Sequence, residues 1–154
     1  MNDANYWICD SCGEKIADVE HGWVEWLVRK EDEKRVGRAL RLVHHCSARD
    51  PLNGKCQYKE AEEFHKDKST IGDLPLKNLV GADGLMELLS MLAEGELAKE
   101  EVLEMIKRLH VPGYEQARHH FDDAISYGVI EPNTLPGYYS TREIAKTLEF
   151  INAK

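Results

Sequence analysis

The chain has 154 residues, of which 42% are apolar and 31% charged, with a formal net charge of -8. That balance is normal for a folded globular protein of one ordinary domain or two small ones. No apolar run reaches the roughly 18 residues a membrane span requires, and the opening Met1-Asn2-Asp3-Ala4-Asn5 lacks the basic start and apolar stretch of a signal peptide. A cytoplasmic protein with no membrane partner is therefore expected.

The acidic balance argues against a broad basic surface, because Lys and Arg must neutralise phosphates for general nucleic-acid affinity. It is uneven, with 13 Asp and Glu against 7 Lys and Arg in residues 80 to 154, but 15 against 13 in residues 1 to 79. Any contact with nucleic acid is thus expected from the N-terminal part.

In chain order, Tyr6-Trp7-Ile8 has strand character and leads into Cys9-Asp10-Ser11-Cys12-Gly13, the pattern of a zinc knuckle, in which the glycine provides the positive φ that the turn demands. Residues 22 to 29 are rich in aromatic and β-branched side chains, and Ala39 to His45 suits a second strand. The charged segment between them predicts an antiparallel hairpin with a solvated loop. Alternation places Leu40, Leu42, His44 and Cys46 on one face of the second strand. After Pro51 and Asn53-Gly54, Cys56 opens a short segment with helical character, and residues 66 to 78 read as a linker.

From Asp83 the period becomes helical. Leu85, Leu88, Leu89 and Leu92 share one stripe, and Gly95 closes the helix. A second helix is predicted over residues 98 to 110, with Val102, Met105, Ile106 and Leu109 inward, and a third over 114 to 127. A fourth is signalled by the capping box Ser140-Thr141-Arg142-Glu143. Four short amphipathic helices bury their faces best against one another. The expected fold is α+β, a small zinc-stabilised β-hairpin module over residues 1 to 66, a linker over 67 to 80, and an all-α four-helix domain over 81 to 154.

All four cysteines, Cys9, Cys12, Cys46 and Cys56, lie in the first 56 residues. In a reducing compartment they read as metal ligands rather than two disulfides. Zinc takes four tetrahedral Cys or His ligands, commonly one pair from a Cys-x-x-Cys turn and another from a distant segment. The expected set is Cys9, Cys12, His44 and Cys56, with His45 or Cys46 as alternatives for the fourth place. The arrangement resembles the zinc-ribbon and treble-clef group over about residues 6 to 60, although the gap to His44 is longer than in compact fingers. A thioredoxin-like role for the Cys-x-x-Cys pair lacks the βαβ context it needs.

Other features point to partners. Trp7, Trp23 and Trp26 beside Arg29, Lys30, Lys34, Arg35, Arg38 and Arg41 suit a stacking platform for single-stranded bases, or else the tryptophans fill a small core. The helices over 98 to 127 resemble a helix-turn-helix, but the second carries Glu115, Asp122 and Asp123 against Arg118. His119 and His120 read as surface residues, and Tyr138-Tyr139 as either a packed turn or an exposed anchor. The reading that unites these features is a non-enzymatic zinc-binding adaptor or regulatory protein whose helical domain contacts another protein. The alternatives are a nucleic-acid-binding, transcription-related regulator acting through Trp23, Trp26, Arg29, Arg35 and Arg38, and a zinc-dependent hydrolase drawing on Glu14, Glu20, His21 or Glu25.

Overall fold

The structure is a computed structural model that describes residues 5–45, 55–133 and 135–153. The chain divides into two compact units, Met1–His110 and Val111–Lys154.

In the first unit, β1 (Trp7–Ile8) and β2 (Lys15–Ile16) form a two-stranded ribbon that brackets the cysteine turn. A three-stranded antiparallel sheet follows in the order β4-β3-β5, from β3 (Gly22–Glu31), β4 (Lys34–His44) and β5 (Thr70–Pro75). The solvated loop expected around residues 30 to 38 is instead strand. Glu31 pairs with Lys34, so only Asp32 and Glu33 turn, both at positive φ (49° and 69°). That conformation matches the right-handed twist of the strands it joins. Further along, the pairing slips between Glu25↔Arg41 and Leu27↔Arg38, and Ala39, at φ 58°, takes up the extra residue as a bulge.

The segment expected as a linker supplies β5. Thr70–Pro75 pairs with β3 over Trp23 to Val28, and Gly72 stands opposite Trp26. Gly72, read from sequence as an interruption, is an accommodation: an added Cβ would overlap the Trp26 indole. Pro75, without an N–H, ends an edge strand, where the missing donor does no harm.

Helix α1 (Glu60–Asp67) precedes β5, and α2 (Gly81–Glu94) and α3 (Lys99–His110) follow it. The four-helix bundle expected from periodicity is not what α2 and α3 build, because they bury their stripes against the sheet. Leu88 and Met105 share a core with Val24, Leu42, Val43, Leu76 and Leu79, while Val102 and Leu97 pack on Trp26 and Val28. The apolar face of the sheet gives these helices a surface to cover besides each other. Leu89, assigned to the inward stripe, remains 42% exposed.

The outer edge of β4 is capped along its length. Gly37 N–H donates to the Glu96 carbonyl (2.7 Å), Leu40 N–H to a Glu101 carboxylate oxygen (2.9 Å), and Leu42 N–H to Asp10 Oδ2 (2.8 Å). The Tyr58 hydroxyl donates to the Ala39 carbonyl (3.0 Å).

A close approach at Gly84 anchors α2. A Cβ there would stand 2.5 Å from the Leu79 carbonyl oxygen, against backbone that cannot rotate away. Helix propensity alone favours Gly→Ala by about 1 kcal/mol. Here overpacking of about 1–3 kcal/mol or more outweighs that gain. Gly84→Ala is expected to lower the urea midpoint, and an unchanged or raised midpoint would refute the close contact.

The second unit contains α4 (Tyr114–Ala117), α5 (Phe121–Ser126) and α6 (Thr141–Asn152). The single helix expected over residues 114 to 127 is broken. His120 N–H bonds the Ala117 carbonyl three residues back (2.8 Å), tightening the turn so that no continuous reading helix forms. The capping box opens α6, with Glu143 N–H donating to Ser140 Oγ (3.2 Å) and Ser140 N–H to Glu143 Oε1 (2.9 Å). Tyr114, Ala117, Phe121, Ala124, Ile130 and Ile144 form the core. Tyr139 stacks on Phe121 at 3.6 Å and 6°, whereas Tyr138 is exposed, so the Tyr-Tyr pair is half anchor and half surface. Among the described residues no helix is long and apolar enough to cross a membrane.

Candidate metal centre

Three segments converge at one end of the sheet. The turn between β1 and β2 brings Cys9 and Cys12, the end of β4 brings His44, and the segment before α1 brings Cys56. Their ligand atoms all lie within 4.8 Å of one another. Cys9, Cys56 and His44 are buried, at 1%, 0% and 3% exposure.

The cysteine turn is shaped by its own backbone. Gly13, at φ 79°, lets its N–H reach the Cys9 carbonyl (2.9 Å), and Cys9 N–H reaches the Glu14 carbonyl (3.0 Å). This aims the amides of Ser11 and Cys12 at Cys9 Sγ, at 3.4 and 3.5 Å.

His44 is oriented from its far side. Its Nε2 lies 3.1 Å from the Lys15 carbonyl oxygen, which can only accept, so the proton belongs on Nε2. The Nδ1 lone pair then faces the sulfurs of Cys12 at 3.4 Å and Cys56 at 3.9 Å. A ring nitrogen donated to a backbone carbonyl, with the other presented inward, is the usual posture of a metal-bound imidazole. For Zn–S near 2.3 Å and Zn–N near 2.05 Å, tetrahedral edges come to about 3.6 Å for S···N and about 3.8 Å for S···S. The two S···N separations, 3.4 and 3.9 Å, lie on either side of the first of these.

Burial pushes the Cys12 thiol above its ordinary value, partly offset by a backbone hydrogen bond at Glu14, while neighbouring Cys9 raises it further. Gathering sulfurs so closely opposes their ionisation, and a divalent cation is the agent that reverses this. No disulfide joins Cys9, Cys12 or Cys56.

The alternative fourth ligands separate clearly. The His45 ring packs on Trp23 at 4.5 Å between centroids and lies outside the cluster, while Cys46 lies outside the described residues. Alternation along β4 places His44, and not His45, on the side of the cluster. Of Glu14, Glu20, His21 and Glu25, His21 shares a cleft with a cluster residue, lining with Lys15, Asp18 and His44 a pocket of about 380 Å³. Glu20 faces Lys77. Among the described residues Cys9, Cys12, His44 and Cys56 are the only group placed to hold a metal, so His119 and His120 form no second site.

Three residues support the cluster in roles not read from the sequence. Glu25, 1% exposed, accepts from Arg41 Nε (2.8 Å) and from the Tyr58 amide (2.9 Å). Arg41 also donates to the Cys56 carbonyl (2.9 Å) and stacks on Tyr58 at 3.6 Å. Arg108 reaches from α3 to the cysteine turn. Two of them left a sequence signal: Glu25 is a lone charge inside Trp23-Val24-Glu25-Trp26-Leu27, and Arg108 continues the three-residue spacing of Val102 and Met105.

The expected nucleic-acid contacts are otherwise engaged. Trp26 is 9% exposed and belongs to the core, while Trp7 and Trp23 are half-buried against it. Arg29 pairs with Glu31 (2.5 Å) and Asp67 (3.2 Å), Arg35 with Glu96 (2.7 Å), and Arg38 with Asp67. Donation from the Ser69 hydroxyl, reinforced by the Ser69 amide and Arg38, holds the Asp67 carboxyl below its ordinary value despite some desolvation. It therefore stays ionised opposite the arginines.

No family model matches the chain, and no curated protein or solved structure matches it. The centre is therefore read from its own chemistry.

Proposed function

We propose that the chain is a zinc-binding adaptor or regulatory protein in which Cys9, Cys12, His44 and Cys56 hold one Zn2+ in a closed, structural site. The observation that carries this reading is the convergence of three sulfurs on His44 Nδ1, with Nε2 anchored on Lys15. Three thiolates and one imidazole match the donor preference of zinc, which is softer than that of oxygen-seeking magnesium or calcium. They fill four positions, and a filled shell leaves no place for the water that a hydrolytic zinc must activate.

A protein partner is favoured over nucleic acid. The arginines of the first unit already face carboxylates, whereas Met86, Leu89 and Leu103 stand exposed on α2 and α3, at 66%, 42% and 44%. Exposed apolar groups on helices suit contact with another protein.

The test is metal content per chain on protein purified without chelator, followed by the absorption spectrum of the cobalt-substituted form. One metal per chain and a tetrahedral cobalt spectrum of three thiolates are expected. No metal, or an octahedral spectrum without thiolate bands, would overturn the proposal.

A further inference from the structure

Arg108 is a buried cation on a helix that supplies no ligand. Its side chain is 3% exposed, and it lies three residues beyond Met105 on the face that α3 turns toward the core. Nη1 donates to Asp10 Oδ2 at 2.7 Å, and Nη2 to the Ile8 carbonyl at 3.1 Å. Ile8 and Asp10 flank Cys9, so the guanidinium grips the cysteine turn on both sides of its first ligand.

Asp10 is held from the sheet as well. Its Oδ2 accepts from Leu42 N–H (2.8 Å), and its own N–H donates to the Leu42 carbonyl (2.7 Å). Leu42 stands two residues before His44 on the same face of β4. One carboxylate therefore ties together the Cys9-x-x-Cys12 turn, the strand bearing His44 and α3. A guanidinium fork fits this task because its donors are planar and fixed, so that meeting an aspartate and a carbonyl together fixes orientation as well as distance. A buried Arg left without its carboxylate is strongly unfavourable, which makes the docked position of α3 depend on where the turn sits.

We propose that Arg108 is a positioning residue of the metal centre, acting through Asp10 to set the cysteine turn, so that metal occupancy and the docking of α3 are linked. This rests on the zinc reading above. The linkage is reciprocal by thermodynamic necessity: whatever α3 adds to metal affinity, the metal returns to the docking of α3. Outer contacts of this kind are commonly worth about 10–100-fold in metal affinity.

The experiment uses the full chain and Zn2+ itself. Zinc affinity is measured by competition with a chromophoric chelator for the wild type, Arg108→Lys, Asp10→Asn and the double variant, and backbone hydrogen exchange over α3 is followed with and without zinc. Arg108→Lys keeps the charge but loses the fork, and Asp10→Asn keeps an acceptor. Each single variant is expected to bind zinc about 10-fold or more weakly, with the double variant no weaker than the worse single. Zinc should slow exchange across residues 99 to 110 in the wild type and much less in Arg108→Lys. Wild-type affinity in both single variants, or equal losses of melting temperature with and without zinc, would reduce Arg108 to a general stabiliser and overturn the proposal. A wild-type chain that binds no zinc would overturn the metal reading and this proposal together, which separates the two failures.

Discussion

Cys9→Ser is expected to abolish metal retention, from one ion per chain to near zero, and to remove the cooperative unfolding transition of the first unit. Cys9 is the ligand whose sulfur receives the amides of Ser11 and Cys12, and serine replaces a soft thiolate by a neutral hydroxyl that zinc binds poorly. Apparent binding energies of structural zinc are about 10–16 kcal/mol, whereas a whole domain is stable by about 5–15 kcal/mol. A unit that depends on such a contribution does not survive its loss. Elemental analysis together with thermal melting monitored by circular dichroism checks this. Full metal content with an unaltered melt would mean that the sulfurs are only small buried side chains.

Arg41→Ala is expected to destabilise the chain by about 3–5 kcal/mol at neutral pH, the cost of leaving a buried carboxylate without its cation. Lys at the same position should recover part of that, because it restores charge but not the simultaneous grip on Glu25, the Cys56 carbonyl and the Tyr58 ring. The loss depends on pH. Burial already holds the Glu25 carboxyl above its ordinary value of 4.5, against the opposing Tyr58 amide and Arg41. A carboxyl with a raised folded-state value contributes stability that is complete below its unfolded value and is lost as pH rises through the folded one. Removing Arg41 raises that value further, so the penalty should be small near pH 4 and grow toward pH 7. Urea denaturation at several pH values reads this directly. A penalty independent of pH would show that packing on Tyr58, rather than charge, is what Arg41 provides.

The ligand cluster was more legible in the sequence than the architecture around it. Cys-x-x-Cys-Gly carries its geometry locally, and alternation along β4 sorted His44 from His45 because the strand is regular there. The capping box of α6 was equally local. What failed was the inference from amphipathic helices to a helical bundle: the stripe of Leu88, Val102 and Met105 records that one face is covered, but not what covers it. The third strand was missed for a related reason. Gly72 and Pro75 look like breakers in isolation, yet one makes room for an indole on the neighbouring strand and the other sits at the end of an edge strand. Arg108 and Glu25 were visible as charges on apolar faces, but their partners lie 98 and 16 residues away, beyond any local pattern.

The capping of β4 bears on what happens when the first unit comes apart. Three of its outward amides are occupied, by Asp10 from the cysteine turn, by Glu96 just before α3 and by Glu101 within it, so the middle of the native edge, from Gly37 to Leu42, is a poor template for another chain. Those caps come from elements held by the metal turn and the docked helix. A chain that loses both would present the 11 residues of Lys34–His44 as a bare ribbon edge, and its failure would be self-association through that strand rather than a quiet return to monomeric coil.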